Sequence, residues 1–267
     1  MIFNAKNGGV SIDNTEMNYI SFGKGPQNLI LIPGLGDGLR SVKGLALPFA
    51  FMYRCLVKDY TVYSFSRRND LSQGFSTRDM AADIAYAMNE LGIEKAHVLG
   101  VSQGGMIAEY LAIDFPNLID KLVLTVTIPS QNETIQTTIQ KWKEMANLKD
   151  YKSIMVDTAE KSYTEAHLKR MRPMYRFIGG FGAPKSFERF QIMADACVTH
   201  DASAELGKIT APTLILGGWQ DKIVSGKASE ELASLIPGCQ LYMYEEYGHG
   251  LYEEAPDFVK RVTSFLG

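Results

Sequence analysis

The 267-residue sequence predicts an α/β fold in which a mostly parallel sheet carries helices on both faces and is interrupted by a helical insertion. Two observations predict it. Short apolar runs bounded by Gly and Pro alternate with amphipathic helical patterns, the rhythm of a parallel sheet. That rhythm stops after Pro129 and resumes at Thr213. The division implied is a sheet domain of residues 1–129 and 208–267 around an insertion of residues 130–207.

The elements follow in order. Tyr19-Ile20-Ser21-Phe22 reads as a strand closed by the turn cluster Gly23-Lys24-Gly25-Pro26. Asn28 to Ile32 has no polar alternation and suits a strand buried on both faces, and Thr61 to Phe65 is the next strand. Ser76 with Asp79 makes a capping box, and Ala81, Ile84, Ala85, Met88 and Leu91 form one apolar stripe that Gly92 ends. Ala96 to Gly100 is a strand, Gln103 to Phe115 a helix stopped by Pro116, and Lys121 to Ile128 a β-branched strand. The insertion reads as helical, with Trp142, Met145, Tyr151, Met171, Met174, Tyr175, Phe177, Phe181, Phe187, Phe190 and Met193 giving it an apolar character. Thr213 to Leu216, a helix over Ser229 to Leu235, Gln240 to Tyr244 and a final helix over Pro256 to Leu266 complete the chain.

Composition excludes several classes. Lys+Arg number 27 against 30 Asp+Glu, a net −3 that offers no footprint for nucleic acid or an anionic membrane. The N-terminus lacks the basic and then apolar run of a signal peptide, and no apolar stretch is long enough to span a bilayer. Cys55, Cys197 and Cys239 are odd in number and form no CxxC pair, which points to a reducing, cytoplasmic setting. The expected partner is a small-molecule substrate, and the chain reads equally as a monomer or a homo-oligomer.

Gly100-Val101-Ser102-Gln103-Gly104-Gly105 carries the chemistry. In G-x-S-x-G a serine sits on a sharp turn between a buried strand and a helix. Small neighbours relieve the crowding there, and the helix N-terminus supplies free N–H groups beside a developing oxyanion. The alternative is a plain strand-to-helix turn. A triad further needs an acid and then a histidine downstream. His97 lies in the strand before Ser102 and reads as packed or partly exposed. His167 and His200 read as surface residues of the insertion, or His200 as a pocket-rim residue. His249, in Tyr247-Gly248-His249-Gly250, lies on a loop able to reach the sheet's C-terminal edge. Asp221, just after the strand Leu214-Ile215-Leu216, is the acid in the right order, although alone it would read as a turn or cap residue.

On these motifs, and on Leu31-Ile32-Pro33-Gly34-Leu35-Gly36 and Ile209 to Asp221, the chain resembles α/β-hydrolase fold proteins of the capped ester and lactone hydrolase type. The elbow Ser102-Gln103-Gly104-Gly105-Met106-Ile107-Ala108 is similar to that of enol-lactonases. The resemblance implies Ser102 as nucleophile, His249 as base, Asp221 as its orienting acid, and the backbone N–H groups of Leu35 and Gln103 as the oxyanion hole. It implies neither metal nor organic cofactor, and it makes the insertion a cap over the site. Two departures mark the chain: Pro33 stands where such families usually carry His, and Arg67-Arg68-Asn69-Asp70 replaces Arg-Gly-x-Gly. The two arginines read as solvated or structural ion-pair residues, with an anionic substrate group as the other reading. The expected reaction is hydrolysis of a small or medium uncharged ester or lactone through an acyl-enzyme. Cleavage of a C–C bond or a thioester by the same triad, and a ligand-binding signalling protein of the same fold, are the alternatives.

Overall fold

A computed structural model describes residues 2–178 and 182–267. Phe181, and the side chains of Met174, Tyr175 and Phe177, lie outside the described residues. The chain runs β1 (Lys6–Ile12), β2 (Thr15–Gly23), β3 (Gln27–Ile32), α1 (Ala46–Met52), β4 (Tyr60–Arg68), α2 (Thr77–Glu90), β5 (Ala96–Val101), α3 (Gln103–Asp114) and β6 (Ile119–Thr125). There follow the helices α4 (Glu133–Asn147), α5 (Tyr151–Ser162), α6 (Glu165–Ile178) and α7 (Glu188–Val198). The chain then returns through β7 (Thr213–Gly218), α8 (Ala228–Leu235), β8 (Gln240–Tyr244), α9 (Leu251–Glu254) and α10 (Phe258–Leu266).

The strands form one eight-stranded sheet in the order β1-β2-β4-β3-β5-β6-β7-β8. The pairings of β2 with β1 and with β4 are antiparallel, and the other five are parallel. After β3 the chain moves outward to β4 and then returns to the other side of β3 as β5. That reversal opens a crevice at the C-terminal ends of β3 and β5, where ligands bind in open α/β sheets. The loop Pro33–Gly38 and the elbow at Ser102 meet there.

Two apolar cores follow from the strand period of two. Ile30, Ile32, Val98, Leu122 and Leu124 face α2 and α3, whereas Leu29, Leu31, Val62, Leu99 and Leu216 face α1 and α10. The Ser76 capping box forms as the spacing predicts, with the Ser76 hydroxyl accepting from Asp79 N–H and the Asp79 carboxylate from Ser76 N–H.

The structure adds β1 and α1 to the elements read from sequence. In β1, Gly8 and Gly9 lie where a Cβ would collide with the Tyr19 and Glu16 side chains of β2, so the residues that admit this pairing also erase its strand signal. In α1, Leu47, Phe51 and Met52 are exposed, which removes the polar face that marks a surface helix. Strand β6 ends at Thr125 rather than Ile128, because Val126 turns to φ 46° and donates its N–H to Leu216 O. Leu251–Glu254 forms its own short helix, and the terminal helix begins at Phe258 rather than Pro256.

Candidate active site

Ser102 has φ 55° and ψ −122°, a backbone conformation that costs about 1–3 kcal/mol and persists only where the surroundings enforce it. They do so by close packing. A Cβ at Gly104 would lie 1.9 Å from Ile32 O, and one at Gly100 would lie 2.4 Å from Gly104 O. Only glycine lets α3 start this close to β3 and β5. Ser102 N–H donates to Thr125 O at 2.9 Å. A serine at a helix N-cap ordinarily spends its hydroxyl on the helix's free N–H groups. At Ser102 the strained turn directs it elsewhere, and it makes no capping bond.

His249 Nδ1 lies 2.8 Å from Asp221 Oδ2. Asp221 Oδ1 accepts from Ile223 N–H at 2.8 Å and Val224 N–H at 2.9 Å, so the acid is held from both sides. A carboxylate only accepts, which assigns the proton to Nδ1 and leaves Nε2 with a lone pair. Ser102 and His249 line one cavity of about 470 Å³, within the size range of small-molecule sites. No hydrogen bond joins them directly among the described residues. Asp221 sits behind His249 and does not line the cavity.

Leu35 opens a 3₁₀ turn over Leu35–Gly38, and Gln103 opens α3. The first N–H of a helical turn has no partner within it, so both are free donors by position. Leu35 lines the cavity. The Gln103 side chain turns away: its Nε2 donates to Met193 O at 2.6 Å and lies 3.0 Å from Cys197 Sγ, both on α7.

Arg67 accounts for the missing loop histidine. It is fully buried, and its Nη2 donates to Pro33 O and, at 3.4 Å, to Gln103 Oε1. One guanidinium therefore ties together the two segments that carry Leu35 and Gln103. Burial pushes its pKa down to about 10, opposed by Asp37, so it stays protonated at neutral pH. Asp37 accepts from Ser66 Oγ at 2.6 Å, Arg67 N–H at 2.9 Å and Arg189 Nη2 at 2.5 Å. Arg189 adds bonds to the Arg67 and Arg68 carbonyls and thereby fixes α7 to the loop. Arg68 pairs with Asp83 and with Asp13. Of the two readings of these arginines, the ion-pair role fits Arg68, while Arg67 is a buried tie that sequence pattern did not anticipate.

The insertion closes over the opposite side as well. Gly250 N–H donates to Ser162 O at 2.8 Å, and Thr164 Oγ1 donates to Glu254 at 2.7 Å, so the His249 loop is clasped to α5 and α6. Of the aromatic and Met residues singled out in the insertion, Trp142 and Phe190 line the cavity among the described residues. Met193 and Met145 belong to the core instead. Ile154, Met155 and Thr158 of α5 complete that wall, and no sequence signal separated them from ordinary helix residues. A shallower cleft of about 750 Å³ lies at the β7–β8 edge, against Lys121, Tyr242 and Arg261, away from Ser102.

The other histidines have different fates. His97 is buried beside Asp120 at 3.5 Å, and His167 stacks on Tyr163 at 4.4 Å. His200 corrects the sequence reading: it lies neither on the surface nor on the cavity rim. Its Nε2 is 3.0 Å from Glu109 Oε2 and its Nδ1 is 2.9 Å from Thr77 Oγ1, with both side chains of the acid–histidine pair fully buried. Among the described residues no group of three or more His, Cys, Asp or Glu side chains is placed to hold a metal ion. Among them too, no helix is long and apolar enough to cross a membrane.

Comparison with known proteins agrees with this architecture. A family model described as the alpha/beta hydrolase fold matches residues 27–153. Among curated relatives, a 2-hydroxy-6-oxononadienedioate/2-hydroxy-6-oxononatrienedioate hydrolase of Cupriavidus pinatubonensis is 27% identical over 272 residues, covering 92% of this chain and 88% of that one. Among solved structures, MGS-M2, an alpha/beta hydrolase enzyme from a Medee basin deep-sea metagenome library, superposes with a TM-score of 0.85 at 17% identity, covering 97% of both chains. The enol-lactonase from Burkholderia xenovorans LB400 superposes at 0.81 with 19% identity, covering 97% of this chain and 99% of that one. The sheet order, the serine elbow at the end of β5 and these likenesses together show that the chain has the α/β-hydrolase fold.

Proposed function

We propose that this chain is a serine hydrolase that cleaves an uncharged carboxylic ester or lactone through an acyl-enzyme. The observation that carries the reading is the strained Ser102, with its hydroxyl free of the helix, on the same cavity as a histidine whose proton Asp221 holds on Nδ1. His249 Nε2 takes the Ser102 proton as Oγ bonds the carbonyl carbon, and the Leu35 and Gln103 N–H groups receive the oxyanion. The intermediate collapses, the bond to the leaving group breaks, and His249 returns the proton to that group. Water then repeats the sequence on the acyl-enzyme. Residues 130–207 serve as the cap. Cys55, Cys197 and Cys239 are free, which supports a reducing compartment.

A second reading, hydrolysis of a C–C bond, is favoured by the names of the curated relatives. The dioate in those names carries two carboxylates. Arg40 is the one lysine or arginine lining this cavity among the described residues, and Glu253 lines it too. That balance suits a neutral substrate better than a dianion.

Intact-mass detection of labelling by a fluorophosphonate tests the shared mechanism. Stoichiometric labelling of the wild type, lost in Ser102→Ala and His249→Ala, is the expected result. A folded wild type that stays unlabelled points instead to a ligand-binding protein. Turnover of 4-nitrophenyl and lactone substrates against 2-hydroxy-6-oxo dienoates then separates ester from C–C cleavage.

A further inference from the structure

We propose that the cavity at Ser102 continues between the sheet and helices α1 and α10 as an alkyl slot, which receives an unbranched, uncharged hydrocarbon arm of the substrate of about eight carbons. The inference rests on the hydrolase reading above and names the substrate class for it.

The slot is read first from exposure. β3 and β5 are central strands, paired on both sides, and the face that carries Leu31 and Leu99 is covered by α1 and α10. Such residues have no route to bulk solvent through the sheet. Yet Leu31 and Leu99 each keep 7% of their surface, whereas Leu29, Val62 and Leu216 on the same face keep none. The two leucines are partners in register, and both line the cavity that reaches Ser102. Their residual surface therefore faces an internal space continuous with the site.

The covering helices have the matching pattern. Leu45, Phe49 and Met52 line the cavity from α1 and its N-cap at helical spacing, and Phe258 and Val262 line it from one face of α10. At the level of Leu31 and Leu99 the walls are thus mainly hydrocarbon, with the hydroxyl of Ser64, the register partner of Leu31, as the polar exception on β4. A charged arm would lose its hydration there with no opposite charge on β3, β5, α1 or α10 to meet it, whereas each methylene gains by leaving water.

Register also sets the depth. Val101 precedes Ser102, Leu99 lies two residues below it, and Leu29, paired with His97 four residues below Val101, closes the bottom. Four strand residues span about 13 Å, which an extended chain of roughly eight to ten carbons fills. The arm can belong to the acyl group or to the alcohol, since both meet at the carbonyl held beside Ser102.

Two substrate series test the slot: 4-nitrophenyl alkanoates from acetate to hexadecanoate, and acetates of alcohols of the same lengths. In the series whose variable arm enters the slot, kcat/KM rises about two- to fourfold per methylene up to about eight carbons and then falls. Leu99→Phe shortens the slot and moves the optimum to shorter chains. Val259→Trp, at a half-buried position of α10 that also lines the cavity, does the same should the core variant fail to fold. Calorimetric binding of 1-octanol and 1-butanol to Ser102→Ala reads the slot without turnover, with octanol expected to bind at least tenfold tighter. Failure of fluorophosphonate labelling alongside that preference overturns the hydrolase reading and leaves the slot standing. A labelled, active enzyme whose profile falls from acetate onward in both series, with equal alcohol affinities, overturns the slot.

Discussion

Helix α3 meets two sets of acid, histidine and hydroxyl about two turns apart, contributing Glu109 to one and ending at Ser102 of the other, and they differ in nearly everything but composition. At its N-terminus, Ser102 shares a cavity with His249, whose Nδ1 is held by Asp221. Further along, Glu109 meets His200, and His200 meets Thr77. The second set is hydrogen-bonded from end to end, yet it is sealed: the His200 and Glu109 side chains are fully buried, and both nitrogens of His200 are already engaged. Thr77 lies in the first turn of α2 with ordinary helical backbone, whereas Ser102 is strained and uncapped. An acid–histidine–hydroxyl constellation is therefore chemistry only where the hydroxyl is released from its helix and the histidine keeps a free nitrogen toward open space. Elsewhere the same three groups act as a pin, here joining α2, α3 and the chain after α7.

The largest expected effect breaks the comparison at its centre. Ser102→Ala and Asp221→Asn should each lower turnover of a 4-nitrophenyl ester by about 10³–10⁴ or more, whereas Thr77→Val should leave kcat near wild type. Comparable losses at both sites would mean that the sealed set takes part in the reaction.

Stability should show the reverse ranking. Glu109→Ala leaves His200 without its buried partner and should cost about 3–5 kcal/mol in urea unfolding. The folded fraction should retain its kcat, which active-site titration with a fluorophosphonate would establish.

Beneath Ser102, Arg67 bonds Pro33 O and Gln103 Oε1, a tie that the sealed set lacks. Arg67→Met should lower kcat about 10- to 100-fold with little change in KM, because a displaced oxyanion donor weakens the transition state more than the bound substrate. Partial recovery in Arg67→Lys would mark the tie as the cause. A rise in KM alone would assign Arg67 to substrate binding instead.

The smallest effect is a pH dependence. Burial raises the Glu109 carboxyl above its ordinary 4.5, against an opposing pull from His200. As pH rises past 4.5 the unfolded chain releases this proton before the folded one, so Glu109 contributes less stability as pH climbs through its folded value. Glu109→Gln lacks that loss and should gain on the wild type with rising pH. Urea midpoints measured in parallel between pH 4.5 and 8 would show it, and a gap that narrows instead would reverse the sign of the shift.

Local signals that act at short range were legible without coordinates. The apolar runs of β3, β5 and β7 need burial on both faces wherever they lie. The Ser76–Asp79 box closes within one turn, and the glycines at 100, 104 and 105 announce a crowded strand-to-helix turn. Those features decided the α/β class, its interruption after Pro129, and Ser102, Asp221 and His249 as candidates in order along the chain. Elements whose signal depends on a neighbour were not legible: β1 makes room for Tyr19 and Glu16 with two glycines, and α1 leaves Leu47, Phe51 and Met52 exposed.

Tertiary structure alone decided the rest. Arg67 and Arg68 are adjacent in sequence, and only strand alternation sends one under the Pro33 loop and the other to Asp83. His200 and His249 each sit within reach of an acid, and only packing seals one and opens the other to the cavity. Leu31 and Leu99 line the cavity, while Val62 and Leu216 on the same face do not, because of where the helices pack against the sheet. A sequence records which groups are present and how far apart they lie along the chain. Which of them keep access to a substrate depends on the space left between elements, and that is a property of packing.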